Sequence, residues 1–121
     1  MKLFEVQQEL RAELVCGAEW VDREVGNVCG AGLMSDVLAC TKERTLLLTG
    51  LNNIQVVRTA EMSDLVAIVF VCGKRPGPEL VKLARIKGIP LFVAECCLYE
   101  ACGILYKNGL ISCHKRGECC E

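Results

Sequence analysis

The sequence predicts an α/β domain: a mostly parallel sheet with helices on both faces, joined to a small β-rich N-terminal subregion. Three observations carry that expectation. Thr45–Thr49, Leu65–Cys72 and Pro90–Ala94 are unbroken apolar runs, the pattern of strands buried on both faces. The segments between them have helical spacing, so strand and helix alternate from 45 to 106 and imply parallel βαβ units. Right-handed crossovers then distribute the helices over the two sheet faces.

Taken in order, Leu3, Phe4, Val6 and Leu10 give an amphipathic first helix over residues 2–10. Ala12–Cys16 reads as a short strand ending at Gly17, and Val25–Cys29 as a second one before Gly30-Ala31-Gly32. Ser35-Asp36 marks a helix start. After the strand Thr45–Thr49, Asn52 or Asn53 can cap a helix carrying Ile54, Val57, Ala60 and Met62. Leu65–Cys72, rich in β-branched residues, stops at Gly73, and Pro78 suits the first turn of a helix holding Leu80, Leu83, Ala84 and Ile86. Gly88 ends it, Pro90–Ala94 follows as a strand, and Tyr99–Tyr106 forms a last helix stopped by Asn108-Gly109.

The 121 residues suffice for one domain, assigned to 1–112, with a Cys-rich flexible tail over 113–121. Aromatic residues are only 5% against 52% hydrophobic, so Val, Leu, Ile, Ala and Cys must build the core. A net charge of -1 without a basic stripe argues against a nucleic-acid partner. No apolar stretch is long enough for a membrane span, and Met1–Glu5 runs directly into charge, so a cytoplasmic protein without a signal peptide is expected. In that setting most of the ten cysteines are expected to be reduced, with Cys16, Cys29, Cys40, Cys72, Cys96 and Cys97 acting as small packing residues.

In open α/β sheets, ligands bind outside the carboxyl ends of the strands, and three loops fall there. In the first, Thr49, Gly50, Asn52 and Asn53 can hold an anion through backbone N–H groups with side-chain help, or Asn53 can simply cap the next helix. In the second, Gly73, Lys74 and Arg75 pair two cations with a glycine turn suited to a phosphate or carboxylate; a solvated basic turn is the alternative. The third, Glu95-Cys96-Cys97, brings thiols to the same crevice. Neither a Walker A motif nor a G-x-G-x-x-G fingerprint is present, and Gly26–Gly32 is read as turn and packing glycines. The only histidine, His114, lies in the polar tail, so no catalytic residue and no cofactor are assigned. Cys113, His114, Cys119 and Cys120 are soft ligands without a C-x-x-C spacing; no metal site is assigned there, and Lys115 and Arg116 favour a redox-sensitive tail.

T-L-L-L-T-G-L-N-N (Thr45–Asn53), V-V-R-T-A-E-M-S-D-L (Val56–Leu65), G-K-R-P (Gly73–Pro76), G-I-P-L-F (Gly88–Phe92) and E-A-C-G-I-L-Y (Glu100–Tyr106) together resemble the DRTGG-domain family, over about residues 3–110. That resemblance implies a fold like the N-terminal domain of HPr kinase/phosphorylase and the corresponding domain of MurF-type ligases. It also implies a regulatory, self-associating module of the kind found beside CBS domains, in phosphotransacetylases and, as short stand-alone forms, in anaerobic bacteria. Gly50-Leu51-Asn52-Asn53 stands where the family carries an acidic-basic pair after the glycine, so that pair's role does not transfer.

The function expected is a non-enzymatic regulatory or ligand-sensing domain in anaerobic metabolism. It would be homodimeric and would bind a small anion, a nucleotide or a protein partner. The competing expectation is a thiol- or metal-binding accessory module of redox, hydrogenase-related metabolism, motivated by Cys96, Cys97, Cys102 and the tail.

Overall fold

The computed structural model describes residues 1–30, 43–62 and 65–112. The helix expected at Ser35-Asp36, Cys40 and the tail candidates Cys113, His114, Cys119 and Cys120 lie outside the described residues.

Helix α1 (Leu3–Leu10) opens with the Glu5 carboxylate accepting the Lys2 backbone N–H at 2.9 Å and ends at Arg11, whose φ is 52°. Then follow β1 (Glu13–Cys16), a 3₁₀ turn (Ala18–Trp20), β2 (Asn27–Gly30), β3 (Thr45–Thr49), α2 (Gln55–Met62), β4 (Leu65–Phe70), α3 (Pro78–Lys87), β5 (Leu91–Val93), α4 (Leu98–Lys107) and β6 (Ile111–Ser112). Helix α3 starts on Pro78 and is closed at Gly88, as its punctuation predicts. At the end of α4 the Asn108 side chain donates to the Ile104 carbonyl at 2.8 Å.

All six strands form one sheet, in the order β1-β5-β4-β3-β2-β6. Every neighbouring pair is parallel except β1 with β5, which is antiparallel. The sheet is therefore mixed but mostly parallel. Among the described residues the N-terminal strands do not form a β-rich subregion of their own, contrary to expectation. β1 becomes one edge of the sheet, and β2 sits inside it between β3 and β6. The reason is that β2 is only partly apolar in sequence yet lies beside β3. Its Asn27 is buried, accepts the Thr45 hydroxyl and donates to the Glu43 carbonyl at 2.9 Å, so a polar residue is accommodated in a central strand.

Successive strand residues alternate between two cores, as a sheet covered on both faces requires. One face, with Leu47, Ile68, Phe70, Leu91 and Val93, packs against Val56, Val57 and Ala60 of α2 and Leu80 and Ala84 of α3. The other, with Leu46, Leu48, Ala67, Val69 and Phe92, packs against Leu3, Val6 and Leu10 of α1 and Ala101 and Leu105 of α4. The connections through α2 and α3 step the chain from β3 to β4 to β5 across one face. The α4 connection then returns over the opposite face to β6 at the far edge. The loops leaving β4 and β5 thus diverge to opposite faces, which makes the gap between those two strand ends a topological switch point.

Candidate functional site

The rim at the carboxyl ends of the parallel strands collects the three loops anticipated from the sequence. Thr49 is buried at the end of β3, and its hydroxyl accepts the Leu51 N–H at 3.1 Å, tightening the turn. Asn53 accepts the Gln55 N–H at 3.1 Å and so caps the start of α2. Asn52 reaches across to donate its side-chain amide to the Arg75 carbonyl at 2.9 Å, which ties the first loop to the second. The N–H groups of Gly50, Asn52 and Asn53 have no acceptor among the described residues, and nothing lies within 4 Å of the position a Cβ on Gly50 would take. An open face with unsatisfied donors at a helix start suits an anion.

The second loop is built differently. Cys72 and Gly73 both have left-handed backbones, φ 58° and 66°. The N–H groups of Cys72, Gly73 and Lys74 are already used by the carbonyls of Cys96, Ala94 and Val71, at 2.8, 2.9 and 3.2 Å. This turn therefore contributes its cations but no backbone donors from those three residues. Arg75 is engaged through both terminal nitrogens by the Glu13 carboxylate at the start of β1. The Arg75 guanidinium holds the Glu13 carboxyl below its ordinary value, and Glu13 raises Arg75 in return. Lys74 carries no ion pair among the described residues. Of the two cations anticipated, one is thus neutralised in place. Glu13 was not singled out in the sequence, and no local signal could have found it: it lies 62 positions upstream and arrives only because β1 runs antiparallel to β5.

In the third loop Glu95 lies against the second: a Cβ added to Gly73 would stand 2.6 Å from its carboxylate. Cys72 and Cys97 are exposed, while Cys96 and Cys102 are half-buried. The expectation of buried packing cysteines holds for Cys16 and Cys29 and fails for Cys72 and Cys97, because β4 and β5 stop before them and the chain turns onto the rim. Burial, with the neighbouring Glu100 carboxylate, pushes the Cys96 thiol above its ordinary value; burial does the same at Cys16 and Cys102. No cluster of three or more His, Cys, Asp or Glu side chains with metal-binding geometry occurs among the described residues.

Two larger concavities lie beside the rim rather than on it. One of about 520 Å³ runs along α3 between Pro76 and Ile86, and one of about 500 Å³ lies between β1, Trp20 and Arg85. Both are shallow flank grooves. Gly50, Asn52 and Asn53, whose N–H groups have no acceptor among the described residues, and Lys74, which carries no ion pair among them, do not line either groove, so the rim remains the better chemical candidate.

This arrangement of sheet and rim has a solved counterpart. The chain is similar in fold to the CBS and DRTGG domains of the regulatory region of Clostridium perfringens pyrophosphatase, a structure complexed with activator, diadenosine tetraphosphate. The TM-score is 0.71 at 16% identity, covering 86% of this chain and 45% of that one. At that identity the likeness concerns the fold, and the chain spans less than half the length of the structure it matches. No family model matches the sequence, and no curated protein matches it. The DRTGG/CBS-like fold is thereby supported; a β subregion of the HPr kinase or MurF type is not. No helix among the described residues is long and apolar enough to cross a membrane.

Proposed function

We propose that this chain is a non-enzymatic regulatory domain that senses a small anionic ligand, a nucleotide or a phosphorylated metabolite, at the rim of β3 and β4. One observation carries the reading: the N–H groups of Gly50, Asn52 and Asn53, without an acceptor among the described residues, open beside the loop bearing Lys74, and the Asn52–Arg75 hydrogen bond fixes the two loops together. Donors on a rigid backbone and one exposed ammonium hold charge without transferring it. The DRTGG/CBS-like fold supports a regulatory role, and the nucleotide activator held by the pyrophosphatase region suggests the ligand class to try first. A role in anaerobic metabolism belongs to the same reading and rests on the family resemblance.

Self-association is part of the proposal. Tyr99 and Tyr106, seven positions apart on α4, are 87% and 77% exposed, and Ile111 on β6 is 55% exposed, an apolar strip that a second copy or a protein partner would cover.

Calorimetric titration of the full chain with diadenosine tetraphosphate, ATP and uncharged adenosine tests the ligand reading. The phosphorylated compounds should bind and adenosine should not, and Lys74→Ala should weaken binding about tenfold, the worth of one charge-assisted contact. Equal binding of adenosine, or no heat from any phosphorylated compound, refutes it. A monomer at micromolar concentration in sedimentation refutes the self-association.

A further inference from the structure

We propose that Cys72 and Cys96 are a dithiol redox site at the switch point between β4 and β5, closing to a disulfide by exchange with a small-molecule disulfide and reopening under excess thiol. The backbone already holds the pair together: the Cys72 N–H donates to the Cys96 carbonyl at 2.8 Å, and the next N–H, of Gly73, donates to Ala94 at 2.9 Å. Both residues lie just beyond their strands, and a single N–H···O=C bond of this length, with ordinary backbone bond lengths, holds the two Cα atoms roughly 5–6.5 Å apart, inside the roughly 4.4–6.8 Å span that a disulfide bridges.

The surroundings select this pair from the thiols of the described residues. Cys97 stands at the N-cap position of α4 without a side-chain cap bond, and its thiol donates to the Glu100 carboxylate at 3.8 Å. The Cys102 sulfur lies against β2, 2.7 Å from where a Cβ on Gly30 would stand. Cys16 and Cys29 are buried in the core. Cys72 is exposed and reachable by a small reagent; Cys96 lies half-buried beside it. Cys72 therefore takes the first step: its thiolate attacks the small disulfide R–S–S–R, forms Cys72–S–S–R and releases R–S⁻. The Cys96 thiol then gives up its proton and displaces the second R–S⁻, leaving the Cys72–Cys96 bond. Two protein thiols lose two electrons and two protons, and one R–S–S–R becomes two R–SH. A raised Cys96 thiol suits the second role, since a buried thiol is a poor first nucleophile. The bridge would fasten the turn from which Lys74 emerges to the exit of β5. The assignment stands on the thiols alone and does not depend on the ligand reading.

Treatment of the native full chain with oxidised glutathione, capture of remaining thiols with iodoacetamide and tryptic mapping tests it. A linked pair of peptides, 59–74 and 88–107, should appear in the wild type and in Cys97→Ser, disappear with dithiothreitol, and be lost in Cys72→Ser and Cys96→Ser. Fragmentation of the wild-type pair locates the bridge at Cys96 without any variant, so a poorly folding substitution does not blunt the test. No linked pair in the wild type, a bridge located at Cys97 or Cys102, or one persisting in Cys96→Ser overturns the proposal.

Discussion

Replacing Gly17 with alanine should be among the most damaging small changes available in this fold, and the structure fixes why. Gly17 has φ 93°, and a Cβ there would stand 2.6 Å from Pro90 Cα, 2.7 Å from Pro90 Cβ and 3.1 Å from Trp20 Cε3. Pro90 cannot move away alone. Its carbonyl accepts the Ile68 N–H at 3.1 Å, and the adjoining Leu91 is paired with Ile68 on one side and Cys16 on the other. An alanine held at positive φ costs about 1–2 kcal/mol. Forcing a methyl into packed backbone adds about 1–3 kcal/mol, so the total is about 2–5 kcal/mol, a large share of the roughly 5–15 kcal/mol that stabilises such a domain. Urea denaturation reads it directly: with m about 1.5 kcal/mol/M, the midpoint should fall by about 1.3–3.3 M. Gly50→Ala makes the same chemical change where no atom lies within 4 Å and the backbone is not left-handed, and it should stay within about 0.5 kcal/mol of wild type. If Gly17→Ala also stays within that margin, the packing of the 3₁₀ turn against Pro90 is not as described.

Other outcomes follow from the same geometry. Thr45→Val removes the hydroxyl that donates to buried Asn27 and should cost about 1–3 kcal/mol in the same denaturation assay, while Thr45→Ser should retain most of the stability. Folding raises the thiols of Cys16, Cys96 and Cys102 above the ordinary value of 9.0, so their contribution is complete below the unfolded-chain thiol range and is lost as pH climbs through the folded values. Thermal melts should therefore decline from about pH 8.5 upward, and Cys16→Ala should make that decline shallower; a flat profile to pH 10.5 counts against it. Glu13→Gln frees Arg75 on an exposed surface, so stability should barely change while affinity for diadenosine tetraphosphate rises severalfold; unchanged affinity would remove Arg75 from the rim's electrostatics.

The centre of this fold was readable from residue order because burial on both faces writes itself as unbroken apolar runs. β3, β4 and β5 fall within the segments named for them, and α3 lies between its proline and glycine as expected. Legibility fails where a partner distant in sequence decides the outcome. β2 begins at Asn27 rather than Val25, since a buried asparagine is acceptable only once Thr45 and Glu43 stand beside it. β6 has two exposed residues and no apolar signature. The direction of β1 has no local mark, so neither its place at the sheet edge nor the Glu13–Arg75 pairing could be read in advance. For the rim, the loops and their residues were identifiable. What was not identifiable was which donors lack a partner: the N–H groups of Gly50, Asn52 and Asn53 have no acceptor among the described residues, whereas those of Cys72 and Gly73 are taken by the chain leaving β5.

The reversed edge strand has an implication for how such a rim can diversify. Parallel strands present only their trailing ends on that side, and those ends double as helix starts and turns, where few substitutions are tolerated. β1 instead presents its leading residue there, on a short segment that begins no crossover helix. Variation at position 13 can therefore reset the polarity met by an incoming molecule while every crossover loop keeps its shape.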